Sequence, residues 1–164
     1  EILRCLVGSE MCIRDRNGAK INFGQLFTSR PTALHGFFQY APATVGYVGD
    51  NQPTGTIAKG DPDVCSIYIA LAKKSYTVDN TKVETFIQFK TDNNIIAYGE
   101  LPLKECVSTN GTWKEFTIDL EYKTLEKPND MYLIVVASAS KYGDYFTGGD
   151  GSILYVDDFE LIYD

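Results

Sequence analysis

The chain has 164 residues, with 15 Lys and Arg against 22 Asp and Glu for a net charge of -7, and its aromatic residues are 11 Tyr, 9 Phe and 1 Trp. That charge argues against a nucleic-acid-binding face, which needs Lys and Arg to neutralise phosphates, and 44% hydrophobic residues can fill a core, which argues against disorder. No apolar run comes near the roughly 20 residues of a membrane-crossing helix, so the composition leaves an acidic, Tyr-rich globular chain of one-domain size.

Residues 1–16 (EILRCLVGSEMCIRDR) differ in character from the rest of the chain. They hold Cys5 and Cys12 and lack Tyr, Thr and Asn. Arg4 and Glu10 bracket too short an apolar stretch for a secretory signal. The segment is similar to translated sequencing-adapter read-through, so the expectation is a non-native scar at 1–16 and a single domain at 17–164. The alternative is a native amphipathic helix with Cys5 and Cys12 on one side. Three acids (Glu1, Glu10, Asp15) balance three bases (Arg4, Arg14, Arg16), so the charge of -7 belongs to the domain. Strand-like sequence begins abruptly at Ile21-Asn22-Phe23-Gly24, which predicts a domain truncated at its front, with an unpaired sheet edge.

From Asn17 onward, short strand-like runs alternate with Gly, Pro, Asn and Asp, and no long window carries a helical apolar period. Strands are predicted at 34–40, 64–72, 83–90, 95–98, 113–122, 132–139 and 153–163. In the fifth, Phe116, Ile118, Leu120 and Tyr122 alternate with Glu115, Thr117, Asp119 and Glu121, the period of a strand with one wet face. Tyr132–Ala139 is apolar on both faces, as a central strand should be. Asn110-Gly111 suits a turn with positive φ, and Pro128-Asn129-Asp130 stops a strand. Seven short strands with such turns predict an all-β fold, an antiparallel β-sandwich of jelly-roll type.

Catalytic signatures are sparse. His35 is the one histidine and lies in a strand-like run, where a hydrogen-bonded sheet histidine is the plainer expectation than a catalytic triad. Cys65 and Cys106 sit singly on apolar runs and read as small core residues; whether they pair is left open by the sequence. The densest stretch is Ser138–Glu160, which combines Lys141, Asp144, Asp150, Tyr142, Tyr145 and Phe146 with four glycines. Flat aromatic faces pack on the C–H face of a sugar ring while charged groups bind its hydroxyls. The alternative is a hairpin loop with glycines at turns and tyrosines capping the sandwich. Strict alternation through Val156-Asp157-Asp158-Phe159 puts Asp157 on the apolar side with Tyr155 and Phe159. A carboxylate there must be paired, hydrogen-bonded or metal-bound, which makes Asp157 a candidate ligand of a structural calcium, or an acceptor of backbone N–H groups.

The run Phe23–Pro42, with Gly24-Gln25-Leu26-Phe27-Thr28-Ser29-Arg30-Pro31, Leu34, Gly36 and Tyr40, resembles the putative carbohydrate metabolism domain (PCMD) family of Bacteroidetes. So do Gly60-Asp61 with Asp63, Ile96-Ala97-Tyr98-Gly99, Trp113 with Phe116, Ser140–Gly149 and Tyr155–Leu161. The resemblance covers 21–164. It implies a sandwich akin to carbohydrate-binding modules, a secreted or outer-membrane-surface location, and further strands ahead of the first motif. The function expected is non-catalytic carbohydrate binding by a monomer, with Arg30, Tyr40, Lys141, Asp144 and Tyr145 at the ligand site. The alternatives are a glycoside hydrolase using an acid pair such as Asp144 and Asp157, and a structural or adhesion module.

Overall fold

The computed structural model describes residues 20–163 apart from 54, 127 and 129; the expected scar at 1–16 lies outside the described residues. Among the described residues ten strands follow in order: β1 (Lys20–Phe23), β2 (Gln25–Phe27), β3 (Ala33–Ala41), β4 (Ser66–Ala72), β5 (Tyr76–Asp79), β6 (Ile95–Glu100), β7 (Lys114–Asp119), β8 (Glu121–Tyr122), β9 (Met131–Ser138) and β10 (Ile153–Ile162). A three-stranded sheet has the order β10-β3-β7 and a five-stranded sheet the order β2-β9-β4-β6-β8. A small sheet pairs β1 with β5, and every pairing is antiparallel. The fold is an all-β antiparallel sandwich, and among the described residues no helix is long and apolar enough to cross a membrane.

Period-two patterning builds the core. Leu34, Phe38 and Tyr40 of β3 and Phe116 and Ile118 of β7 point inward, where they meet Ile67, Ile69 and Leu71 of β4 and Met131 and Leu133 of β9. Each such side chain contributes roughly 1.5–3 kcal/mol by leaving water. His35, on the outer side of β3, bonds Glu115 through Nε2 at 2.9 Å, the sheet-histidine role. Asn110 and Gly111 both take positive φ in the turn before β7.

The opposite face of the five-stranded sheet is covered as well. Tyr68, Ala70 and Ala72 of β4, with Ile95, Tyr98 and Ile134, pack beneath Phe23, Tyr76, Ile87 and Phe89. Residues 83–90, expected as a strand, here form a 3₁₀ turn at Val83–Thr85 and then a loop. The alternation is real, but it serves packing on a sheet face rather than pairing at an edge: Phe89 stacks on Tyr98 with centroids 4.9 Å apart and planes at 13°. The strand-like start at Ile21–Gly24 coincides with β1, whereas the short strands β2 and β5 escaped the sequence reading because polar residues interrupt them; β1 and β5 pair with each other, Ile21 opposite Val78.

A second correction concerns β10. Its register against β3 shifts between Asp157 and Glu160, and Asp158 takes φ 50°. This bulge lets Val156 and Phe159, three residues apart, both pack on the core, and it leaves Asp157 exposed. The Asp157 carboxylate accepts the Asp158 N–H at 2.9 Å. The core-facing carboxylate on which the calcium expectation rested is absent, and among the described residues no group of three or more His, Cys, Asp or Glu gathers.

One run, 113–122, serves both sheets, pairing with β3 through β7 and with β6 through β8. At the crossover, Gly99 lies so close that an added Cβ would fall 2.3 Å from Asp119 O and 2.8 Å from Ile118 Cγ2. Gly99→Ala is therefore expected to lower the unfolding free energy by about 2 kcal/mol, the usual scale of overpacking, as a shifted midpoint in urea denaturation.

Candidate functional site

The loop joining β9 to β10 is tied down by one buried carboxylate. Asp63, 2% exposed, sits just before β4. Its Oδ2 accepts from Ser140 Oγ at 2.5 Å, Gly149 N at 2.9 Å and Ser152 Oγ at 2.8 Å, and its Oδ1 from Val64 N at 2.8 Å. Lys141 N donates to Val64 O at 2.7 Å, so the loop enters beside β4. It then makes a 3₁₀ turn, Gly143–Tyr145, closed by Phe146 in the left-handed region at φ 54°. Beyond the turn it bonds to residues 46–52. Gly148 N reaches Tyr47 O and Gly46 N reaches Gly148 O, both at 3.1 Å, while Gly49 N donates to Thr147 Oγ1 at 2.9 Å. A Cβ on Gly49 would lie 1.8 Å from Tyr145 O, so only glycine fits there.

Between these two loops and the segment Asn80–Val83 opens a cleft of about 460 Å³. Tyr47, Tyr145 and Phe146 supply its aromatic surface, and Asp50, Asn51, Thr81 and Asp144 supply polar groups. The Tyr145 ring is propped edge-on against Phe86, with centroids 5.0 Å apart. Burial holds the Asp144 carboxyl above its ordinary range. The Tyr145 phenol is also raised, first by burial and then by the Asp144 charge.

The residues expected at a ligand site separate here. Asp144 and Tyr145 line the cleft together. Lys141 is half-buried and ion-pairs with Glu100 of β6, which also accepts from Tyr98 Oη at 2.9 Å. Burial, and then the neighbouring Lys90 charge, lower the Lys141 pKa. Tyr40 is 0% exposed inside the sandwich, and its hydroxyl donates to Ala139 O at 2.8 Å; burial raises its pKa. Arg30 lies over the Tyr122 ring at 4.3 Å and donates to Thr124 O at 3.0 Å and Glu126 O at 2.7 Å, bracing the chain after β8. Asp157 lies on the β10 bulge and is not among the residues lining the Asp144 cleft.

Sequence reasoning passed over Tyr47, Asp50, Asn51 and Thr81. Tyr47 between Gly46 and Gly49 repeats the aromatic-plus-glycine mixture that singled out the later loop, and was the available signal. Asp63 had one too, as an acid directly ahead of an apolar strand.

Residues 9–162 match the profile of the family described as "Putative carbohydrate metabolism domain" (PCMD). The chain belongs to this family. Among solved structures, the PCMD chain is similar to one described as a putative glycoside hydrolase from Bacteroides thetaiotaomicron VPI-5482, with TM-score 0.66 and 24% identity over 88% of this chain and 41% of the other. It is also similar to one described as a putative glycoside hydrolase from Bacteroides vulgatus ATCC 8482, with TM-score 0.65 and 25% identity over 86% of this chain and 55% of the other. The chain thus spans about half the length of these structures or less. Comparison with curated protein sequences finds no match. The family description points this PCMD domain to a carbohydrate-related role, and the two structures show its fold.

Two outcomes are expected from the electrostatics. Asp63→Ala strands four converging donors in the interior and is expected to cost about 3 kcal/mol of stability, measured by urea denaturation. For Asp144 the raised native pKa means that the folded state holds the proton more tightly than the unfolded chain. Its contribution is fully present below the unfolded carboxylate pKa of about 4 and is lost as pH rises through the higher native value. Asp144→Asn is expected to melt higher than the parent at pH 7, with the gap closing below about pH 4. Parallel melting curves across pH check the sign.

Proposed function

We propose that this PCMD domain binds a carbohydrate in the cleft between the two loops, as a module of a secreted or outer-membrane-surface protein. The observation that carries the proposal is the convergence of Tyr47, Tyr145 and Phe146 with Asp50, Asn51 and Asp144 around one cleft whose walls are fixed by hydrogen bonds. Aromatic faces there offer stacking surface to a pyranose, and the amide and carboxyl groups offer partners for its hydroxyls. The family description and the names of the two structural neighbours support a saccharide over other ligands of similar polarity. Affinity electrophoresis and calorimetry against a panel of polysaccharides and oligosaccharides test the proposal. Tyr145→Ala and Tyr47→Ala are each expected to weaken binding roughly tenfold, the scale of a lost aromatic contact. Lys141→Ala and Arg30→Ala are expected to lower stability and leave affinity within about twofold, because their charges are already engaged by protein groups. No retardation on any saccharide would sink the proposal.

A hydrolytic reading draws on a different feature of the same cleft. Asp144 and Asp50 both line it, and the raised pKa of Asp144 suits a general acid, which must enter the reaction protonated. Hydrolysis of an oligosaccharide that falls by ~10²–10⁴ in Asp144→Asn, with binding retained, would select this reading over simple binding.

A further inference from the structure

The outer face of the three-stranded sheet carries an aromatic surface that the cleft does not use. Alternation along β3 turns Leu34, Phe38 and Tyr40 into the core and His35, Phe37 and Gln39 outward. Tyr155 of β10 is registered with Gln39, and Asp157 with Phe37. On the other side of β3, Glu115 of β7 is registered with Phe37 and Lys114 with Phe38, so Trp113, one residue upstream, comes beside Gln39. Tyr155 and Trp113 thus flank Gln39 on a single rung, two strand spacings or about 10 Å apart. Both lie open, at 54% and 47% exposed. Among the described residues no hydrogen bond holds the Gln39 amide, the Tyr155 hydroxyl or the Trp113 indole N–H. The outward positions of the three strands also carry Glu115, Asp119, Asp157 and Glu160, while their one basic residue, Lys114, is registered with the inward-facing Phe38. None of these residues lines the cleft.

We infer that this face is a second saccharide surface, a platform for an extended, neutral, β-1,4-linked polysaccharide lying across the strands along the Tyr155–Gln39–Trp113 rung. Aromatic rings about 10 Å apart suit sugars one disaccharide apart in such a chain, each ring stacking on the C–H face of a pyranose. Gln39 between them offers an amide that both donates and accepts. Asp157 and Glu115, on the next rung, each have one carboxylate oxygen engaged, by Asp158 N and His35 Nε2, and the other open to a sugar hydroxyl. Charge selects among occupants. A polyanion would meet the acids of the face, and a second copy packed face to face about a two-fold axis would set those acids against each other. A neutral glycan escapes both repulsions. The inference rests on the carbohydrate reading of the domain but uses no residue of the cleft.

Trp113 is the only tryptophan of the chain, so its emission reports on this face. The test titrates the full chain with cellohexaose and mannohexaose, following tryptophan emission and acrylamide quenching, and compares retardation in native gels containing hydroxyethylcellulose or carboxymethylcellulose. The expected result is a blue-shifted emission protected from acrylamide, with stronger retardation by the neutral polymer than by the anionic one. Tyr155→Ala is expected to weaken the Trp113 titration roughly tenfold, and Tyr145→Ala in the cleft to leave it unchanged. Trp113→Ala, made on the Tyr145→Ala background, is expected to weaken retardation by a similar factor; should it fail to fold, the Tyr155→Ala titration decides. A Tyr155→Ala titration equal to the parent's, or a Trp113 response lost in Tyr145→Ala, overturns the inference. Sugars that leave Trp113 unchanged overturn it too, and if calorimetry still finds them bound, the cleft reading stands. A Trp113 response that persists while Tyr47→Ala and Tyr145→Ala have no effect on any binding upholds the inference and sinks the cleft. Protection by polylysine instead of sugars, or by rising protein concentration alone, assigns the face to a basic partner or to a second copy and overturns the inference.

Discussion

Burying a carboxylate is costly unless donors replace the water it loses, and Asp63 meets that condition with groups drawn from distant parts of the chain. Val64 supplies a local N–H, whereas Ser140, Gly149 and Ser152 come from a loop more than 70 residues away in sequence. A requirement for solvation thus becomes a positional constraint. The ends of the loop are held at a fixed place beside β4, and the turn between them, with Asp144, Tyr145 and Phe146, can only project toward residues 46–52. Thr147 completes the connection by accepting from Gly49 N and donating to Gln52 Oε1 at 2.9 Å. The cleft walls are therefore set before any ligand arrives, which reduces the ordering cost of binding.

The covered outer face of the five-stranded sheet supports the same region from below. Tyr68, Tyr98 and Phe89 form a contiguous aromatic layer. Burial pushes the Tyr98 phenol up to about 12, and its hydroxyl donates to Glu100, which in turn neutralises Lys141. The cation at the start of the loop is thus consumed within the fold. What the loop offers outward is aromatic surface and carboxyl chemistry rather than positive charge, in keeping with a neutral polyhydroxyl ligand more than with a polyanion.

How much of this was legible in the sequence depended on how local each determinant was. Phe116, Ile118 and Leu120 read as one buried face because alternation is a property of consecutive residues, and Asn110-Gly111 read as a turn because both positions need positive φ. Residues 83–90 carried the same alternation, but whether such a run pairs at an edge or lies across a face is decided by its neighbours, here Tyr68 and Tyr98. The bulge at Asp157-Asp158 shifted the alternation by one residue, enough to move a carboxylate from the expected interior to solvent. Tyr40 and Arg30 stood out by residue type and motif, yet the carbonyls they serve, Ala139 and Thr124, lie 99 and 94 residues away. Asp144 and Tyr145 were found together because one short loop carries both.

Asp144 is where stability and chemistry part. The three groups that hold the loop, Asp63, Thr147 and Gly49, are explained by the fold they maintain. Asp144 is different, since burial raises its pKa and its ionised form weakens the folded state. A carboxyl held in that condition on a cleft wall is easier to protonate than one in water, so it can donate a hydrogen bond to a ligand oxygen as well as accept one. Either use, binding a hydroxyl or protonating a leaving oxygen, draws on the same desolvation. An asparagine in its place would preserve shape and relieve the cost while removing the titrating proton. Stability gained together with function lost is the pattern expected of a residue kept for its chemistry rather than its packing.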